Sequence, residues 1–440
     1  MKHSTADLTT KYRIVGRNGQ SILIHQDKPR WLAVNGSAAR ISHQLQAGEN
    51  PGRIAQDLAG GTGESSERVR LDVRAFIDDL IRAGFVGARS ENEAVTGRQL
   101  RRLQINLTNR CNLSCRHCGA VANTPADLPY ALGVDLIDQA AGFEDAAVAF
   151  SGGEPFLWDG ASELFAYAAG RLRTAVTTNG LLISELPLSK IPAGIEWQVS
   201  LDGQDQTAHE FLRGPDTFKP AKKALGLLAE MGAECTVYAT ITRENASPER
   251  MIEICAGLGV KEVRFSALQK VGRAAARWAD LSPSIHQYES VYRRLYLEKS
   301  ISDIKVHPGL AGLVFDFPPD GHWCRLGESL LVDADGSIFP CSLLKHPDFK
   351  LGDVREMTVA QAMDSTKLKA LVYASRRRWR ESGPCCDCVW RAFCQAGCPG
   401  QMFWETGDIG GIDQFCRLRT ELYEALLFRA SAKSSERNGV

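Results

Sequence analysis

The sequence predicts an α/β protein in three parts: a small winged-helix-like module, a parallel sheet or open barrel of βα units, and a cysteine-rich C-terminal extension. Three observations carry this. Short alternating runs followed by helical periodicity occupy residues 10–88, six β-branched runs recur at helix-sized intervals from about 101 to 280, and eight of the 13 cysteines crowd between Cys324 and Cys416. At 440 residues the chain supports about two or three domains, with 52 basic side chains against 52 acidic ones. Zero net charge argues against a general nucleic-acid binder or a membrane-surface protein held by electrostatics. No run of eighteen uncharged apolar residues offers a bilayer span, and the start Met1-Lys2-His3-Ser4-Thr5-Ala6-Asp7 has no apolar core for a secretory signal. The expected location is the cytoplasm.

In the first module the runs 12–15, 21–25 and 30–34 alternate as strands do, and Arg17-Asn18-Gly19-Gln20 between the first two is a hairpin turn. Ser37 opens a helix as its expected N-cap, and Asn50-Pro51 opens a second. Val69, Val73, Phe76, Ile77 and Leu80 repeat at helical spacing in a third, which Gly84 stops. Residues 37–87 hold six arginines and no lysine against seven acids, so the basic footprint of a DNA-binding helix-turn-helix is missing. The polar run 88–93 reads as a linker.

Six candidate strands follow, over 103–108, 146–150, 174–178, 195–200, 235–241 and 262–266. Each of the first four runs straight into a polar, glycine-rich or cysteine-bearing loop: Asn109-Arg110-Cys111, Ser151-Gly152-Gly153-Glu154, Asn179-Gly180 and Leu201-Asp202-Gly203. Chemistry in a βα barrel sits at the C-terminal ends of the strands, so these loops converge on one mouth.

The cysteines are too many and too clustered for core filler alone, and an odd count in a reducing compartment is no disulfide framework. Cys111, Cys115 and Cys118 share one short loop after the first strand, a set able to hold three irons of a 4Fe-4S cluster and leave the fourth open. A structural zinc site wants four ligands, and His117, the candidate fourth, is awkward beside Cys118. Cys235 and Cys255 stand apart and read as core residues.

The spacing Cys111-x3-Cys115-x2-Cys118, with His117 before the last thiol, resembles the radical S-adenosylmethionine superfamily, and Gly152-Gly153-Glu154-Pro155 resembles its GGEP motif. The resemblance implies a partial (β/α)6 barrel. It implies that Glu154 and the glycines receive the methionine amino group of the cofactor, and that Asn179, Ser200 and Asp202 stand near its ribose. It further implies one-electron cleavage of S-adenosylmethionine and hydrogen abstraction by a 5′-deoxyadenosyl radical, with binding and orientation left to the protein. Gly272-Arg273-Ala274 is similar to a loop that closes over the cofactor.

Two further resemblances complete the chain. Residues 31–86 are similar to the PQQ-biosynthesis chaperone, a peptide-binding domain that takes a leader peptide as an added strand. Cys324-x11-Gly336-x4-Cys341, Cys385-x2-Cys388-x5-Cys394-x3-Cys398 and Cys416 resemble the SPASM extension, with Asp335-Gly336 as a hairpin turn. That resemblance implies two auxiliary 4Fe-4S clusters, three clusters in all: one on Cys385, Cys388, Cys394 and Cys416, the other on Cys324, Cys341 and Cys398. No cysteine lies between Cys255 and Cys324, so one iron is left to water, His322, Asp320 or substrate, and Cys386 reads as spare. Arg376-Arg377-Arg378-Trp379-Arg380 reads as a solvated helix end, or else as a patch for an acidic stretch of substrate.

The expected organisation is a leader-recognition domain over 1–90, a radical domain over 100–280 and an auxiliary-cluster domain over 281–440. The expected function is installation of a thioether or C–C crosslink in a ribosomally made precursor peptide. The expected partners are that peptide, bound by its leader, and a low-potential electron donor such as flavodoxin or ferredoxin. The alternatives are a formylglycine-forming sulfatase maturase, a peptide epimerase and a non-enzymatic peptide-binding iron–sulfur protein; no catalytic base is assigned.

Overall fold

The computed structural model describes residues 9–87, 99–120, 125–298, 303–315, 317, 321–381 and 383–437, so the start 1–7, the linker 88–93 and Asp320 lie outside the described residues. The N-terminal module is an antiparallel meander of β1 (Tyr12–Arg17), β2 (Gln20–His25) and β3 (Trp31–Val34), followed by α1 (Gly36–Gln46), α2 (Pro51–Thr62) and α3 (Ser66–Arg82). Its first turn has Asn18 at φ 48° and Gly19 at φ 77°, the two positive values that a two-residue hairpin requires. Asn50 caps α2 as expected, but α1 is capped by Asn35, whose side chain accepts from the Ala38 amide at 2.9 Å, and not by Ser37. The helix thus begins two residues early, where an Asn side chain satisfies an orphan amide.

The meander is buried on both faces. Leu23 faces the module's own helices with Tyr12, Ile41, Ile54 and Leu80, whereas Ile22 and Ile24, each 0% exposed, join the main core with Val15, Trp31 and Ala33 packed beside them. Period-two alternation therefore glues the module to the rest of the chain, at roughly 1.5 to 3 kcal/mol per fully buried large side chain. Polar contacts rivet the joint: Arg391 donates to the Gln26 carbonyl at 3.0 Å and pairs with Asp27 at 3.3 Å.

The central segment contributes six parallel strands in sequential order: β4 (Arg102–Thr108), β5 (Ala147–Gly152), β6 (Arg173–Thr178), β7 (Ile195–Ser200), β8 (Cys235–Ile241) and β9 (Glu262–Ala267). Each falls within two residues of its expected bounds, because β-branched runs buried on both faces are what parallel strands need. The sheet does not stop at 280, since β10 (Lys305–His307) pairs parallel to β9 and carries the βα pattern past the expected boundary. At the other edge β11 (Ser329–Val332) pairs parallel to β4, followed by antiparallel β12 (Ser337–Phe339) and β13 (Gly352–Asp353). The β11–β12 hairpin turns at Gly336, φ 91°, so the cysteine-rich extension grows directly from the first barrel strand.

Among the described residues no helix is long and apolar enough to cross a membrane. Cys255 is fully buried, and Cys235 opens β8 and packs against the main core, both as expected.

Candidate active site

The cysteine loop leaves β4 and is tied down from three sides. Arg110 reaches the Leu157 carbonyl and the Asp127 carboxylate, each at 2.8 Å, and Arg273 holds the Cys115 carbonyl through Nε at 2.8 Å and the Cys118 carbonyl through its amide at 3.0 Å. The segment Gly272-Arg273-Ala274 thus docks on the backbone of the loop. Burial pushes the Cys115 thiol up to about 11, with the thiols of Cys118 and Cys111 adding and the Arg213 guanidinium opposing. Three thiols that feel one another on one loop are a donor set for a cluster.

Gly152 and Gly153 close β5 against that loop. A Cβ on Gly153 would lie 1.9 Å from the Arg110 carbonyl oxygen, and one on Gly152, at φ 123°, would lie 2.3 Å from that of Thr108. The Gly153 and Glu154 amides donate to these same two carbonyls at 2.7 and 2.9 Å, so only glycine permits the approach. Gly153→Ala is therefore expected to displace the cysteine loop, lower stability by about 1 to 3 kcal/mol as overpacking does, and weaken cofactor binding. Thermal melting and S-adenosylmethionine titration check this; a variant with unchanged melting and affinity would remove the close-approach argument.

Glu154 is 0% exposed and precedes the short turn that opens at Pro155. Its carboxylate accepts from Thr178 Oγ1 at 2.7 Å and from the Asn179 amide at 2.9 Å, and burial outweighs these bonds to raise its pKa. A buried carboxylate directly after two glycines that line the cavity is suited to a cationic group. The Asn179 side chain donates to Asn112 at 2.7 Å, linking the third strand end to the cysteine loop, and Ser200 closes β7 opposite Tyr238 of β8.

Asp202 does not face open space. Its Oδ2 takes Arg213 Nε at 2.5 Å and His117 Nε2 at 3.0 Å, and its Oδ1 takes the Thr240 amide at 2.7 Å. Burial works against the carboxylate, but Arg213 and His117 prevail and hold its pKa well below the usual range. With both oxygens occupied, Asp202 orients His117 and Arg213, whose Nη1 lies 4.0 Å from Cys115 Sγ. His117 Nδ1 is buried without a protein partner.

His117, Cys118, Gly152 and Gly153 line a cavity of about 360 Å³ whose opposite wall comes from the extension, including Asp333, Ser342 and Lys345. There Lys345 Nζ pairs with Asp333 Oδ2 at 2.7 Å, and Asn106 of β4 donates to Asp333 Oδ1 at 2.8 Å. Sequence reasoning missed Arg213, Asp333 and Lys345. Asp333 directly follows β11 and precedes the Asp335-Gly336 turn, a strand-end position that was the one available signal.

The remaining thiols sort by proximity. Burial first, then Cys398 and Cys324, push Cys341 up to about 12; burial first, then Cys394, Cys416 and Cys388, push Cys385 up to about 12. These are the two sets implied by the sequence resemblance. Among the described residues no three His, Cys, Asp or Glu side chains converge on a single-ion site, and a four-iron group spans more room than one zinc ion. Cys386 stands aside, its thiol donating to the Arg380 carbonyl at 3.2 Å. His322 is buried and lines a small pocket with Cys324, Arg376 and Arg378. The solvated-helix reading of residues 376–380 is corrected in part: Arg378 and Trp379 are 5% and 1% exposed, and Arg378 donates to the carbonyls of Ile409 and Gln395 at 3.0 and 3.2 Å. Those carbonyls close the loops around Cys398, and unmet carbonyls inside a fold call for a buried donor.

The model of the radical SAM superfamily matches residues 105–255. The chain carries a radical SAM domain. Residues 20–86 match coenzyme PQQ synthesis protein D (PqqD), and residues 324–389 match the SPASM iron–sulfur cluster-binding domain. The mycofactocin maturase MftC of Mycolicibacterium smegmatis is 26% identical over 70% of this chain and 81% of its own length. The AdoMet-dependent heme synthase of Nitratidesulfovibrio vulgaris is 31% identical over 43% of this chain and 54% of that protein. Among solved structures, Streptococcus suis SuiB bound to S-adenosylmethionine shares the fold at TM-score 0.58 and 14% identity, covering 93% of this chain and 99% of that one. Native anSMEcpe with bound AdoMet and Cp18Cys peptide does so at TM-score 0.58 and 17% identity, covering 76% and 99%.

Proposed function

We propose that this chain is a radical SAM maturase that binds a ribosomally made precursor peptide through its leader and installs a crosslink, thioether or C–C, in the core. The observation that carries the reading is the shared cavity: the cysteine loop of the radical SAM domain forms one wall and the SPASM hairpin the other, in a chain whose residues 20–86 match PqqD. The named relatives include both a mycofactocin maturase and an AdoMet-dependent heme synthase, and the PqqD-like segment favours a peptide substrate here.

In this reading Cys111, Cys115 and Cys118 hold the first of three 4Fe-4S clusters, Cys324, Cys341 and Cys398 the second, and Cys385, Cys388, Cys394 and Cys416 the third. When bound, S-adenosylmethionine and the first cluster supply a carbon-centred radical that removes a substrate hydrogen atom. The chain's own residues bind and orient: Gly152 and Gly153 give the backbone close approach, Glu154 faces the methionine ammonium, and Asp202 steadies His117 beside the cavity. Asp333 and Lys345 present a polar pair to the peptide from the opposite wall. The leader adds a strand to the outer edge of β3, which pairs with no strand among the described residues, whereas the start of β1 is flanked by residues 85–87. A low-potential flavodoxin or ferredoxin delivers the electrons. The thirteen unpaired cysteines suit the reducing cytoplasm.

The test is anaerobic incubation of the reconstituted enzyme with S-adenosylmethionine, a reductant and the peptide encoded by a short reading frame beside its gene. Loss of about two mass units is the expected result, since each crosslink removes two hydrogens. Unchanged mass with solvent deuterium incorporated at an α-carbon would assign epimerisation, and a hydrazine-reactive aldehyde, formed by exchange of sulfur for oxygen at a cysteine or by loss of two hydrogens at a serine, would assign formylglycine formation.

A pH dependence follows from Glu154. Burial raises its pKa, so its neutral form persists to higher pH than in a free carboxyl, while an ammonium partner needs the carboxylate. S-adenosylmethionine affinity should therefore weaken as pH falls through the Glu154 pKa, with proton release on binding in that window. Calorimetry in buffers of different ionisation enthalpy measures the released proton, and Glu154→Gln should abolish it. An equal proton count in both proteins would remove Glu154 from the ammonium site.

A further inference from the structure

Arg419, on the C-terminal helix Cys416–Arg437, is 0% exposed, and the first use of its charge is plain: Nη2 lies 2.7 Å from Asp413 Oδ1 and Nη1 3.0 Å from Asp413 Oδ2. Nη1 also donates to the Ala311 carbonyl at 3.2 Å. The pair leaves Nε, which points the other way and donates to Cys394 Sγ at 3.1 Å. The surroundings are built to admit the guanidinium, because a Cβ on Gly397 would lie 2.8 Å from Nη2 and one on Gly312 would lie 3.3 Å from Cδ. A guanidinium this deep is costly without partners: Nη2 meets Asp413 as an ion pair without hydrogen-bond geometry, and a neutral thiol is a weak acceptor for Nε. A thiolate is a strong one.

Resting on the assignment of Cys385, Cys388, Cys394 and Cys416 to one cluster, we propose that Arg419 is a positioning residue of that cluster, donating Nε–H to the Cys394 thiolate and raising the cluster's reduction potential. Reduction adds one electron to an already anionic group, and a fixed donor with a buried positive charge stabilises the more negative state more. In the first thiol set the Ala120 amide donates to Cys118 Sγ at 3.4 Å and Arg213 approaches Cys115 Sγ at 4.0 Å, both longer than the 3.1 Å contact of Arg419.

The test is an EPR-monitored redox titration of the anaerobically loaded holoenzyme, with the signal of this cluster identified as the one lost in Cys385→Ser. Arg419→Lys keeps the pair with Asp413 but withdraws the planar Nε–H, and the double variant Arg419→Met/Asp413→Asn replaces the pair by neutral groups of similar size. Both are expected to retain iron and sulfide at wild-type stoichiometry and to move the midpoint of this one signal to a more negative potential, further in the double variant. An unmoved midpoint in loaded protein overturns the tuning role. If Cys385→Ser loses no cluster at all, the four-cysteine assignment falls, and with it this proposal.

Discussion

Cys111→Ala abolishes reductive cleavage of S-adenosylmethionine, release of 5′-deoxyadenosine falling by at least about a thousandfold, which is ~4 kcal/mol of lost transition-state stabilisation. The variant leaves two of the three thiols that raise one another on the loop. Chromatographic measurement of 5′-deoxyadenosine under dithionite is the check. Turnover at the wild-type rate would return the chain to the class of peptide-binding iron–sulfur proteins without radical chemistry. Cys386→Ala is the matched control: its thiol meets only a backbone carbonyl on the surface of the array, so activity should stay within about twofold, ~0.4 kcal/mol.

Asp202→Ala produces the largest loss of stability, about 3 to 5 kcal/mol, because it strands Arg213 and His117 in a site where their side chains are 12% and 7% exposed. For a chain of 440 residues that is roughly 3 to 5 °C in melting temperature. The carboxylate also anchors the Thr240 amide at the end of β8, so the damage spreads to a second strand end. Adding Arg213→Leu should recover much of the loss, since removing both charges leaves no buried ion unpaired. Calorimetric melting of the single and double variants measures the coupling; additive losses would show that Asp202 and Arg213 do not act as a pair.

The barrel was legible because its signals are local. A β-branched run that ends in a polar or glycine-rich loop declares a parallel strand and its functional end within a dozen residues, and β4 to β9 follow that pattern. Asn35 replaced Ser37 as a cap because both are capping residues two positions apart, and only the backbone geometry selects between them. Arg378 was misread for a different reason. A run of four arginines looks solvated, yet helical geometry turns Arg378 and Trp379 inward while Arg377 and Arg380 stay exposed.

The site divides in the same way. Cys111, Cys115 and Cys118, Gly152 and Gly153, and Glu154 are set by spacing on two adjacent loops, so their chemistry was present in the chain before any packing was known. The auxiliary sets were visible as spacings also, their grouping into three and four being an implication of family likeness. Asp202 looked like a cofactor contact because it sits at a strand end, but the packing of the helix Gln206–Arg213 against the cysteine loop turned it into the anchor of Arg213 and His117.

The sequence by itself determined the elements, the thiol donor sets and the radical SAM signature, since strand periodicity, turn glycines and loop spacing are encoded within a few residues. Only the tertiary structure decided what faces what. Asn106 meets Asp333 at a sequence separation of 227 because β11 happens to pair with β4, Ile22 and Ile24 bury the PqqD-like sheet in the main core, and Arg419 reaches Cys394 at a separation of 25, past the helix Pro399–Thr406. Such contacts follow from how whole faces pack, a property of the summed burial of the chain that no local pattern carries.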